Sequence, residues 1–342
     1  MNCYIRADAN EIIGIGHLVR TEILADELSG RGFDVTFLCK TIPEKFCQKI
    51  LLKGYRVEMV PLLGKELPYI TEVILNSDQN VLVVDSDIEE FYTEEFQRTI
   101  RRNNIRLMMI TFYNQYHYYA DVVLNQNIMA LSQTYDSEVY TQKLLGPQYV
   151  ILKAEYQKIS KNLSHYKNKL DGKTVLLTFG GIDEPDRTSF VYKSLIKTLH
   201  SPAKIIIVLG AMYKYKADLE KIIEISPIKT EVYQDTPQMP YLLAEANIVF
   251  NSGGLTVWES GALGALNIIM GYSEREKIGG LYAGENGYAI YLGSKQDYSV
   301  QSLADTIDTI LCQNNQKYIS KLSECIDVYG VNKVADVIEN IL

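Results

Sequence analysis

Short apolar runs rich in Val and Ile alternate along this chain with longer stretches of helical spacing, the pattern of parallel strands covered by helices. Candidate strands in the first half are Cys3 to Arg6, Asp34 to Leu38, Val81 to Asp85, Arg106 to Thr111 and Asp121 to Leu124. The second half repeats the scheme with Thr174 to Phe179, Lys204 to Leu209, Thr230 to Tyr233, Asn247 to Asn251, Asn267 to Met270 and Ala289 to Leu292. Between the halves, Gln157 to Gly172 is polar, lysine-rich and ends in Asp-Gly, so it reads as a linker before a fresh βα unit. No fixed short period runs through the sequence, which excludes solenoids and propellers. At 342 residues the chain exceeds what one hydrophobic core supports. The expectation is two doubly wound, Rossmann-like α/β lobes, residues 1–158 and 159–342, with a ligand cleft between them.

Charge narrows the partners. A formal net charge of -8 disfavours a nucleic acid or an anionic membrane surface. An anionic ligand must then be held locally, by backbone amides and a few arginines. The five cysteines, Cys3, Cys39, Cys47, Cys312 and Cys325, form no CxxC pair and are odd in number, which fits a reducing cytoplasm. The first residues lack a signal-peptide pattern and no run approaches 18 apolar residues, so the expectation is a soluble, cytoplasmic protein. Neither a metal nor a cofactor is expected, and the oligomeric state is left open. Four of the 25 tyrosines fall in YNQYHYYA (113–120), and this cluster reads as structural.

The candidate chemistry begins after the first strand. Gly14-Ile15-Gly16-His17 precedes a helical run, which places His17 at a helix N-terminus, on the edge where open α/β sheets bind ligands. The partial positive charge of that terminus disfavours an imidazolium, leaving the form a general base requires. Arg20 lies one turn on, and Arg6 and Asp8 leave the strand on the same edge. A dinucleotide fingerprint is a poor alternative, because its third glycine is replaced by Val19 and the turn is too long. A helix-capping His17 without chemistry is the other alternative.

In the second half, Ser252-Gly253-Gly254-Leu255-Thr256-Val257-Trp258-Glu259 reads as strand, glycine turn and helix start, with amides of Gly254, Leu255 and Thr256 available to an anion. Glu259 is placed either to accept ribose hydroxyls or to close a capping box with Thr256. Gly180-Gly181 repeats the device after an earlier strand, and Asp186 is a candidate cap for the next helix.

These motifs resemble a family of GT-B fold, the UDP-sugar hydrolases of pseudaminic acid biosynthesis and their spore-coat polysaccharide relatives. The match is carried by RADANEIIGIGHLVRTEILADEL, against R-x-D-x(5)-G-x-G-H-x-x-R-x-x-x-L-A, and continues through VVLNQN (122–127) and LGPQYVILKAEY (145–156). TFGGID and NSGGLTVWESGALG are similar to donor loops of the lipid II-forming N-acetylglucosaminyltransferase. The resemblance implies a UDP-sugar substrate, with Gly254, Leu255 and Thr256 on the diphosphate, Glu259 on the ribose, and His17 activating water at the anomeric carbon. A glycosyltransferase with the same donor site and a non-catalytic nucleotide-sugar binder are the alternatives.

Three loops depart from that family. Asp85-Ser86-Asp87 stands for Asp-His-Tyr, Thr111-Phe112-Tyr113 replaces a paired Asp-Asp, and Ser273 to Glu276 replaces an Asn-Gln. Asp87 is therefore either a second carboxylate at the sugar or a cap for a helix beginning at Ile88.

Overall fold

A computed structural model of the protein describes residues 1–10, 13–75, 79–167, 173–199 and 204–342. Two compact units form, Met1–Leu152 together with Tyr329–Leu342, and Lys153–Val328.

In the first unit the strands are β1 (Asn2–Ala7), β2 (Asp34–Cys39), β3 (Arg56–Met59), β4 (Asn80–Asp85), β5 (Arg106–Ile110), β6 (Val122–Asn125) and β7 (Gln142–Leu145). They pair in parallel in the order β3-β2-β1-β4-β5-β6-β7. Helices on both faces bury the central strands, which explains their continuous apolar runs. In the second unit β8 (Thr174–Thr178), β9 (Lys204–Leu209), β10 (Lys229–Gln234), β11 (Ile248–Asn251), β12 (Leu266–Ile269) and β13 (Ile290–Tyr291) form a sheet ordered β10-β9-β8-β11-β12-β13. Every strand expected from the sequence is present. β3 and β7, which were not expected, are the outermost strands of the first sheet, and their sequences RVEM and QKLL carry charge because one edge faces solvent.

Two expectations are corrected. The stretch read as a linker, Gln157 to Gly172, overlaps the helix Ala154–Ser160, turns at Lys161 and Asn162 and is helical again at Leu163–Lys167, all within the second unit, while 168–172 lie outside the described residues. The last 14 residues, Tyr329–Leu342, belong to the first unit rather than the second lobe. Their helix, Gly330–Ile341, buries Val331, Val334, Ala335 and Ile338 in the core around β1 and the helix Gly16–Gly30. Arg31 fastens it through Asp336 and Glu339. A side chain at position 330 would lie 2.4 Å from the Val150 carbonyl oxygen, so glycine permits this approach.

Both sheets reverse their winding once. The reversal lies between β1 and β4 in the first and between β8 and β11 in the second. At such points the loops leaving neighbouring strands diverge and open a crevice at the carboxyl ends.

Candidate functional site

The first crevice receives the loop from β1 into the helix Gly16–Gly30. Asn10 closes this loop, its carbonyl accepting from the Gly14 amide at 2.9 Å and its side chain from the Ile13 amide at 3.0 Å. Residues 11 and 12 lie outside the described residues. His17 follows in the first helical turn, half-buried, and among the described residues its ring has no hydrogen-bond partner. Ile15 at the N-cap offers no side-chain acceptor to the helix amides, and Gly16 is exposed.

The charged neighbours serve the scaffold more than the sequence suggests. Arg6, expected on the sugar side, is fully buried and bonded to Glu66 and Asp8. Asp8, expected near the catalytic centre, spends its other oxygen on the Lys40 and Thr41 amides at 2.7 and 2.9 Å, tying β1 to the end of β2. A buried guanidinium needs such neutralisation, and Glu66, also paired with Lys40, supplies it. Arg20 clamps Asp85 at the end of β4 through two bonds of 2.8 and 2.6 Å. Burial opposes the Arg20 charge, yet Asp85, with help from Asp87, makes it more basic than usual. Across the switch point, this pair joins the loop carrying His17 to the loop carrying Asp87.

Asp87 itself is exposed and does not cap: the short helix Glu89–Tyr92 starts after Ile88, whose amide bonds the Ser86 hydroxyl. Beyond it Tyr92 reaches the Ser86 carbonyl and the Thr111 hydroxyl. Its ring stacks on Tyr116 at 4.6 Å and meets Tyr113 edge-on at 5.5 Å, with buried Tyr118 behind. The tyrosines of 113–118 thus brace the ends of β4 and β5.

In the second crevice the turns after β8 and β11 lie on adjacent strands. Gly253 turns with φ of 91°, a conformation glycine adopts freely, and the side chain of buried Asn251 accepts from its amide at 2.8 Å. Asn251 also donates to Asn267, which accepts from Ser260, so a buried amide network fixes the turn, β12 and the next helix together. Gly254 is exposed, with Leu255 and Thr256 half-buried beside it. On β8 the turn at Gly180 and Gly181 precedes Asp183, whose carboxylate bonds the Arg187 and Thr188 amides, and Asp186 caps the helix Arg187–Thr198 as expected.

Glu259 is settled against the capping alternative. The helix Thr256–Ala262 begins with Leu255 at its N-cap and has no side-chain cap, so no Thr256–Glu259 box forms. Burial raises the Glu259 carboxyl above the ordinary carboxylate range, opposed by Tyr156 and Lys153. Tyr156, from the helix Ala154–Ser160, escaped the sequence reading because one buried tyrosine in an amphipathic helix carries no signature. Ser273 and Glu276, by contrast, do form a capping box, and Glu276 bonds Arg187, whose guanidinium also holds the Met270 carbonyl. The substituted Ser273–Glu276 loop is thereby explained as a structural tie between β12 and β8. Among the described residues no group of three or more His, Cys, Asp or Glu side chains is placed to hold a metal ion, and no helix is long and apolar enough to cross a membrane.

Two parallel-sheet α/β lobes of this kind define a glycosyltransferase-like GT-B fold. MurG of Acinetobacter baumannii matches with a TM-score of 0.73 at 13% identity over 99% of each chain. The spinosyn rhamnosyltransferase SpnG, complexed with thymidine diphosphate, matches at 0.66 and 11% identity over 99% of each chain. No family model matches the sequence. In sequence the chain is 22% identical over 298 residues to the spore coat polysaccharide biosynthesis protein SpsG of Bacillus subtilis, covering 86% of this chain and 84% of that one. It is 28% identical over 288 residues to an uncharacterised protein of Methanocaldococcus jannaschii, covering 81% of this chain. That match spans 57% of the archaeal protein, little more than half its length.

Proposed function

We propose that the protein is a nucleotide-sugar-utilising enzyme of the glycosyltransferase class, acting in surface-polysaccharide synthesis. The second unit holds the nucleotide: Gly180, Gly181, Gly253, Gly254, Leu255 and Thr256 line the diphosphate, and Glu259 takes the ribose. The first unit supplies the chemistry. His17 takes the proton of an acceptor hydroxyl as its oxygen bonds the anomeric carbon, and the bond from that carbon to the phosphate oxygen breaks, UDP leaving with the electron pair. The observation that carries this reading is the placement of two glycine turns and an uncapped, half-buried Glu259 at the switch point of a GT-B second lobe.

Transfer to an acceptor is favoured by solved neighbours such as SpnG, a rhamnosyltransferase by name. Hydrolysis is the second reading, motivated by the Arg6–Arg20 stretch, in which water takes the acceptor's place at His17. Incubation with UDP-sugars and dTDP-sugars, followed by nuclear magnetic resonance, distinguishes them. Nucleoside diphosphate released only with an added glycan or lipid-linked acceptor supports transfer. Free sugar formed without an acceptor supports hydrolysis, and absence of release under both conditions overturns the proposal.

A further inference from the structure

The Tyr156 hydroxyl is a buried polar group that the account above does not use. Its residue is 1% exposed and its oxygen has no hydrogen-bond partner among the described residues. A buried donor left unpaired is costly, and native structures rarely keep one without a use. The helix Ala154–Ser160 packs directly on Thr256–Ala262, the helix that carries Glu259, and the Glu259 carboxyl acts on the Tyr156 hydroxyl without a formed hydrogen bond, adding to the rise that burial gives its pKa. Glu259 in turn lacks the capping role that its position in the helix would otherwise give it.

We propose that Tyr156 is a positioning residue for Glu259. When a nucleotide binds, the hydroxyl donates to one carboxylate oxygen and leaves the other to accept from a ribose diol. This rests on the nucleotide reading of the second unit. The two groups complete each other: a diol requires an ionised carboxylate with a defined orientation, and a buried carboxylate remains ionised when a donor faces it. Tyr156 and Lys153 are the described titratable groups acting on Glu259, and Glu155 acts with Glu259 on Tyr156. The helices Met239–Glu245 and Gln316–Cys325, also packed on Thr256–Ala262, contribute none.

The consequence is a pH dependence with a defined sign. Burial raises the Glu259 carboxyl and the Tyr156 hydroxyl lowers it, so removing the hydroxyl moves protonation to higher pH. Nucleotide binding should therefore fail earlier as pH falls. Calorimetric titration of UDP into the wild-type protein, Tyr156→Phe and Glu259→Gln across about pH 5 to pH 8 tests this. Glu259→Gln supplies the baseline set by the nucleotide's own phosphate.

The proposal expects Glu259→Gln to lose a step that the wild type shows. Tyr156→Phe should keep the step with its midpoint at higher pH, binding on the order of tenfold more weakly below it. A melting curve for each variant separates this shift from loss of fold, since simple packing by Tyr156 would change stability and leave the midpoint in place. Superimposed profiles for the wild type and Tyr156→Phe overturn the role of Tyr156 while leaving the nucleotide reading intact, as does a step retained in Glu259→Gln. Failure of the folded wild type to bind UDP overturns the nucleotide reading and this proposal together.

Discussion

His17 and Arg20 stand one turn apart on the same helix but are held differently. Arg20 is engaged by Asp85, whereas the ring of His17 has no hydrogen-bond partner among the described residues. If His17 is the base, His17→Asn should lower turnover by about 100- to 10,000-fold in a steady-state assay while leaving UDP affinity unchanged. Full turnover in that variant would remove His17 from the mechanism. Asp85→Asn acts differently, because it removes the paired carboxylate and leaves the Arg20 guanidinium with only the weaker influence of exposed Asp87. Urea denaturation should show a loss of about 3 kcal/mol. A loss below about 0.5 kcal/mol would mean that the pair is a solvated surface contact instead.

At the scale of elements, the sequence pattern was most informative where strands are buried on both faces. Val81–Asp85 and Lys204–Leu209 stand out as apolar runs because helices cover both sides. Edge strands such as Gln142–Leu145 mix polar and apolar residues and lack that contrast. The return of Gly330–Ile341 to the first unit was not legible, since an apolar helical face does not identify the sheet it covers. Gly330→Ala tests its packing: the added methyl meets Val150 backbone at 2.4 Å and should cost about 1 to 3 kcal/mol in chemical denaturation. A second element-level prediction concerns the loop at 113–119, where His117 lies 2.9 Å from Asp136 and 3.3 Å from Glu138. The Asp136 hydrogen bond raises the His117 pKa, burial opposes it, and Glu138 adds to the rise. Its contribution is therefore complete below the unfolded histidine pKa and is lost as pH rises through the folded one. The melting temperature of the wild type should exceed that of His117→Gln at low pH, with the difference vanishing at high pH; a constant difference would contradict this.

For the whole molecule, two doubly wound lobes were legible from the alternation of elements, because right-handed crossovers cover a parallel sheet with helices, and the GT-B architecture was legible only through the resemblance carried by the motifs. The division of labour among charged residues was harder to read. Arg6, Asp8 and Glu66 meet only once β1, β2 and the loop before residue 67 are folded, and the sequence gives no sign that Glu66, 60 residues away, neutralises Arg6. For the same reason Asn251, Asn267 and Ser260 looked like ordinary polar residues although they hold the turn proposed to meet the diphosphate. The central claim is that a sugar nucleotide occupies the switch point of the second unit. Hydrogen exchange measured with and without a UDP-sugar tests it most directly. The account predicts slowed exchange at residues 179–181 and 252–259, whereas unchanged exchange there under saturating ligand, or protection confined to other segments, would contradict it.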